Sequence, residues 1–196
     1  MRMLLIAFVS VAWGAHPPRY FPAGSFSSKA AVEQLKTEWY SSKLVALQEN
    51  SLWEVSQQQR STEIYRFLWL RTFHHPISIR VTVTGRSAGE LEAKETNGYG
   101  GFPESGRLIR DDKRILSKAE MELFFTKLDR LHLWIPQHGQ ENRGGTDGAQ
   151  WVLEAVRGGQ YRILDVWGPE GSEPMRALGV AMLGLAHIRI PPEDLY

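Results

Sequence analysis

The sequence predicts an α+β domain: an antiparallel sheet of about six or seven strands with helices packed on one face. Three observations predict it. Period-two apolar alternation recurs between Tyr65 and Arg110 and again between Ala149 and Trp167, with connections too short for crossover helices. A helix with a complete start signal, Ser117-Lys-Ala-Glu120, stands between these two groups of strands. Finally, 42% of residues are hydrophobic and there is no cysteine, so a packed core must replace disulfide staples.

Residues 1–14 read as a secretory signal peptide: Arg2, an apolar run from Met3 to Trp13, then small residues. The run is shorter than the roughly 20 residues that span a bilayer. Cleavage before Trp13 or before Ala15 leaves small residues at the −1 and −3 positions. The expected destination is the periplasm or the exterior, with no integral membrane segment once the signal is removed. A retained anchor, or a buried N-terminal element of a cytoplasmic protein, is the alternative. Without cysteine there is no lipoprotein acceptor at the cleavage point and no thiolate metal site or thiol nucleophile. Formal charge is +1 and falls to zero when Arg2 leaves with the signal, so no electrostatic footprint for nucleic acid is present.

Residues 15–27 are rich in Pro and Gly and read as a linker; 28–196 read as the single domain. From Ser28 to Gln48, Val32, Leu35, Trp39, Leu44 and Leu47 approximate one helical face, with Trp39-Tyr-Ser-Ser42 as a candidate break. Tyr65 to Phe73 reads as a strand covered on both faces, and Ile77 to Thr84 as a half-buried one. Gly85–Gly89 turns into a strand at Glu90–Thr96, and the glycine-rich loop Asn97–Gly106 leads to a short strand at Arg107–Arg110. After the capping box, Met121, Phe124, Phe125, Leu128 and Leu131 recur at helical spacing, and a strand is expected around Trp134. Ala149–Val156 and Gln160–Trp167 form a hairpin about Gly158-Gly159. Met175–Ala186 is a last helix, with Met175, Leu178, Met182 and Leu185 facing inward.

The hairpin carries the main chemical constellation. A two-residue turn at Gly158-Gly159 makes opposed residue numbers sum to 317. One face is then apolar. The other joins Gln150 to Trp167, Val152 to Asp165, Glu154 to Ile163 and Val156 to Tyr161. Glu154 and Asp165 become diagonal neighbours about 7 Å apart, within reach of acid/base cooperation in a hydrolase. The plainer reading makes them solvated or salt-bridged carboxylates on an open face near Arg157 and Arg162. Gln150, Tyr161 and Trp167 on that face, with Tyr99 and Phe102 in the glycine-rich loop, are the candidate binding residues, the loop acting as lid or contact surface. No metal site is expected from His74, His75, His132 and His138, which lack helical ligand spacing, and no cofactor motif is present. Asn97–Gly106 has no Gly-Lys-Ser/Thr ending of a phosphate loop. Ser61, Ser105 and Ser117 have no nucleophile-elbow context.

From about Trp39 to Ala186 the chain resembles a group of uncharacterised bacterial proteins with no known activity. The likeness rests on Tyr65-Arg-Phe-Leu-Trp-Leu-Arg-Thr-Phe-His-His-Pro76, on Gly98–Gly101, and on Asp147-Gly-Ala-Gln-Trp-Val-Leu-Glu154 followed by Tyr161 and Trp167-Gly-Pro169. In that pattern a histidine follows the tyrosine and a serine precedes the proline; here Arg162 and Gly168 stand there. The resemblance implies that the hairpin and the Tyr65–Pro76 segment belong to one unit of fold, and it implies no activity. The leading functional expectation is a non-catalytic exported envelope protein that binds a partner protein or small ligand. A hydrolase using Glu154 and Asp165, and a structural component of an exported assembly, are the alternatives.

Overall fold

A computed structural model describes residues 19–85, 87–135, 145 and 147–196. The expected export signal, residues 15–18 of the expected linker, His138 and most of the residues between Ile135 and Asp147 lie outside the described residues. Six antiparallel strands form one open sheet: β1 (Glu63–Arg71), β2 (Ile77–Gly85), β3 (Ala88–Thr96), β4 (Leu108–Leu116), β5 (Ala149–Arg157) and β6 (Gln160–Trp167). Their spatial order is β4-β3-β2-β1-β5-β6, so β4 and β6 are the edges. Four α-helices accompany the sheet: α1 (Ala30–Ala46), α2 (Leu52–Gln58), α3 (Lys118–Asp129) and α4 (Pro174–Leu185). No helix of the described residues is long and apolar enough to cross a membrane.

The α+β class and antiparallel sheet are as expected, but helices cover both faces. On one face the odd-numbered residues of β1 and β5, including Tyr65, Phe67, Trp69, Trp151 and Leu153, pack under α3 and α4. All four expected core residues of the last helix are buried. The Ser117 hydroxyl accepts from the Glu120 amide while the Glu120 carboxylate accepts from the Ser117 amide, which completes the capping box at α3. On the other face Leu68, Leu70 and Val152 pack against Tyr20, Phe21, Tyr40, Leu44 and Leu47.

The structure corrects several expectations about the second face. Helix α1 runs unbroken through Trp39–Ser42. Its inward side is Tyr40, Lys43 and Leu44, whereas Leu35 is 64% exposed. The apolar count misled because Lys36 and Lys43 reach acceptors on the sheet and its loops, which lets a cation-bearing stripe face inward. Within the expected linker, Tyr20 and Phe21 are buried against Tyr40, and the Tyr20 hydroxyl donates to the Glu49 carbonyl. β4 runs nine residues instead of four, and Leu131–Trp134 is a turn rather than a strand. The β5–β6 register is the expected one, from Gln150 opposite Trp167 to Arg157 opposite Gln160. Positive φ at both Gly158 and Gly159 suits the tight turn.

Candidate functional site

Glu154 and Asp165 share the α1/α2 face of the hairpin, but that face is closed. Arg66 on β1 lies directly across from Glu154 on β5. Both side chains are fully buried, and Arg66 donates through Nε at 2.8 Å and Nη2 at 2.5 Å to Oε2. Oε1 of Glu154 accepts from the Tyr161 hydroxyl at 2.8 Å. Glu49, from the turn between α1 and α2, completes this buried network, 3.4 Å from Arg66 and 3.6 Å from Arg80. Burial pushes the Glu154 carboxyl above its ordinary range against the pull of Arg66. Arg66 is held above its own ordinary value: burial opposes its charge, and Glu154 and Glu49 outweigh burial.

Asp165 accepts from Lys36 at 2.6 Å, from the Tyr40 hydroxyl at 3.2 Å, and from the Gln150 amide. Each carboxylate thus has its own internal cation, on β1 for Glu154 and on α1 for Asp165. Neither Arg157 nor Arg162 fills that role: Arg157 stacks over Trp134 at 4.4 Å, and Arg162 donates to the Tyr161 carbonyl. Gln150 and Tyr161 are turned into these networks. Trp167, at the end of β6, borders an open cleft of about 570 Å³ with Asp147, Glu170, Glu173 and Arg176.

The exposed part of the expected site is elsewhere, where the glycine-rich loop meets the end of β1. Phe73, Tyr99 and Phe102 are 53%, 52% and 43% exposed yet touch one another, with ring centroids 6.1 Å apart for Phe73–Phe102 and 5.8 Å for Tyr99–Phe102. The loop beneath them is tied down by hydrogen bonds. Gly100 N–H donates to the His74 carbonyl at 2.8 Å, and the Trp39 indole N–H donates to the Gly100 carbonyl at 2.7 Å. Lys43 is buried and points Nζ at the carbonyls of Tyr99 (2.9 Å), Glu104 (3.2 Å) and Phe102. Burial lowers its pKa to about 8, against the pull of Glu104. A Cβ at Gly100 would overlap the Arg71 backbone, so only glycine permits this approach.

Beside the aromatic ledge, Phe73 and Tyr99 wall a cavity of about 270 Å³ with Arg71, His74, His75, Glu95 and Asp194. Its carboxylates are occupied: Glu95 by His75 at 2.8 Å and Asp194 by His74 at 3.3 Å. Arg71 is only 4% exposed and no carboxylate of the described residues lies within ion-pair distance of it. Its guanidinium sits 4.2 Å over the Trp69 ring, Nη1 donates to the Asp194 carbonyl at 3.3 Å, and Nε has no acceptor. Burial lowers its pKa, against the pull of Tyr196, Asp194 and Glu95. No group of three His, Asp or Glu side chains among the described residues could hold a metal ion.

Sequence reasoning missed Arg66, Lys36, Lys43, Arg71 and Phe73. Arg66 carried a usable signal, because a charge in a strand covered on both faces requires a buried partner. Locating that partner needed the β1–β5 pairing, which local pattern does not supply. Compared with known proteins, the chain matches no protein-family model, no curated protein and no solved structure.

Proposed function

We propose that this is a non-catalytic binding domain. Its contact surface is the Phe73–Tyr99–Phe102 ledge together with the Arg71 cavity, and it takes a ligand or partner group that combines a flat apolar body with a carboxylate. The observation that carries this reading is the buried Arg71 guanidinium, whose Nε has no acceptor and whose neighbouring carboxylates Glu95 and Asp194 are turned to His75 and His74, at the rim of the exposed aromatics. Aromatic rings supply apolar contact area, and an arginine fork matches a carboxylate. The committed cations of Glu154 and Asp165 support a structural role for the hairpin carboxylates over acid/base chemistry.

Benzoate, phenylacetate and indole-3-acetate, each paired with its neutral amide, test the reading by thermal shift. The carboxylates should raise Tm, the amides should not, and Arg71→Met should abolish the difference. Equal shifts from acids and amides, or an unchanged response in Arg71→Met, would refute it. We place the domain outside the cytoplasm on the strength of residues 1–14. N-terminal sequencing of the native protein should begin at Trp13 or Ala15, and a chain still starting at Met1 would remove that placement.

A further inference from the structure

We propose that His74 and His75 decide when the Arg71 cavity accepts a carboxylate: with both imidazoles protonated the cavity is cationic and holds the anion, and with both neutral it is anionic and rejects it. Such regulation rests on the carboxylate reading of the site. The fold gathers the groups it needs from four places. Arg71 ends β1, His74 and His75 lie in the turn to β2, Glu95 is next to last in β3, and Asp194 belongs to the C-terminal segment; all five line one cavity.

Each imidazole faces its own carboxylate. His75 Nδ1 is 2.8 Å from Glu95 Oε1, and His74 Nε2 is 3.3 Å from Asp194 Oδ1. The other ring nitrogen of His74, Nδ1, is 2.8 Å from the Tyr196 hydroxyl. Because a carboxylate only accepts, Nε2 of His74 carries a hydrogen, and in the neutral ring Nδ1 accepts from Tyr196. The same three groups, Tyr196, Asp194 and Glu95, are those whose charges pull on Arg71. Asp147 in turn bears on the Tyr196 hydroxyl, and Lys43, under the neighbouring ledge, does not line the cavity.

Imidazole is the side chain that changes charge near neutrality, whereas Arg, Asp and Glu keep theirs. With neutral imidazoles the cavity holds one cation and two carboxylates, so an incoming anion meets surplus negative charge. Protonation keeps the hydrogen bonds to Glu95 and Asp194 and turns each into an ion pair. The surplus is then one positive charge, and it resides on Arg71, whose Nε has no acceptor. Both imidazoles are partly exposed and exchange protons with solvent. Arg71 is buried, so charges that change beside it are weakly screened.

Calorimetric titration with phenylacetate tests this, since its carboxylate is ionised on both sides of the imidazole range. The full chain should bind it roughly tenfold more tightly, or better, near pH 5.5 than near pH 7.5. His74→Gln/His75→Gln retains hydrogen-bonding side chains without a titratable ring, so it should bind weakly at both. Glu95→Gln/Asp194→Asn removes the two carboxylates and should bind near pH 7.5 about as tightly as the wild type does near pH 5.5. Lys43 is present in all three proteins, so its own titration cancels, and melting curves at both pH values check that each is folded. Equal wild-type affinity at the two pH values, a pH dependence that survives in His74→Gln/His75→Gln, or no gain in Glu95→Gln/Asp194→Asn would overturn the regulation and leave the carboxylate site standing. No binding by the wild type at either pH would overturn the site and its regulation together.

Discussion

Replacing Glu154 with methionine leaves the Arg66 guanidinium sealed in the protein with most of its compensation gone. Its Nε and Nη2 lose their acceptor, and what remains is the Asn50 carbonyl at 2.6 Å and Glu49 at 3.4 Å. With both side chains at zero exposure, water cannot replace the lost carboxylate without opening the face. Removing one member of such a pair costs about 3–5 kcal/mol. At roughly 2–4 °C per kcal/mol for a domain of this size, that corresponds to a Tm lower by about 6–20 °C. Removing Arg66 as well eliminates the stranded charge, so Arg66→Met/Glu154→Met should be more stable than Glu154→Met. Its residual loss, about 1–3 kcal/mol for each buried group left unpaired, comes from the Tyr161 hydroxyl without its acceptor and from the Asn50 carbonyl and Glu49 without Arg66. Urea unfolding of the wild type, both single variants and the double variant closes the cycle, provided the m-values agree. A loss below about 1 kcal/mol for Glu154→Met, or a double variant as unstable as the two singles added together, would refute the sealed-pair argument.

Three further outcomes follow from the same geometry. Lys43 has its pKa lowered from the ordinary 10.5 to about 8, so between these values the unfolded chain holds a proton that the folded chain has released. Stability should then rise with pH across that window relative to Lys43→Met; parallel pH profiles for the two proteins would contradict it. Glu120 has its pKa lowered from 4.5 to about 2, chiefly by Arg114. Its stabilising contribution is present above 4.5 and lost as pH falls toward 2, so Glu120→Gln should narrow its deficit to wild type on acid titration; a pH-independent deficit would count against the pairing. Gly100→Ala should detach the aromatic ledge from β1, read as faster amide exchange at residues 98–106 with β5 and β6 unchanged; unaltered exchange there would mean that the close approach is not required.

How much of this was legible in the sequence depended on the range of the interaction that decides each feature. The β5–β6 register, the capping box at Ser117 and the inward face of α4 are set by residues close along the chain, and they stand where the pattern put them. The second face of the sheet could not be read that way. Arg80, Glu92, Lys94 and Glu154 look like solvent-facing strand residues because each is polar at an alternate position. They are covered because Glu49 and α1, distant in sequence, bring compensating charges and a lid of Tyr40 and Leu44. Period two assigns residues to faces; it does not say which face meets water. The candidate site divided on the same line. Tyr99 and Phe102 are visible in the sequence as loop aromatics, whereas Phe73, which completes the ledge, continues a strand pattern, and the role of Arg71 depends on neighbouring carboxylates that His74 and His75 engage.

The clamp beneath the ledge bears on how tightly the surface can bind. An exposed aromatic loop that is mobile when free must be ordered on binding, at about 0.5–1.5 kcal/mol for each immobilised side chain. Here the ordering is already done by the fold. Trp39 and Lys43 are four residues apart, about one turn, on α1, and together they hold the main-chain carbonyls of Tyr99, Gly100, Phe102 and Glu104. The rings themselves are left free for contact. A residue that touches no ligand then controls affinity. Lys43→Met removes the donor from three carbonyls, so a carboxylate ligand identified by thermal shift should bind Lys43→Met more weakly while still discriminating against its amide. Because Arg71 is untouched by that change, loss of the discrimination itself would mean that Lys43, and not Arg71, is the cation the ligand meets.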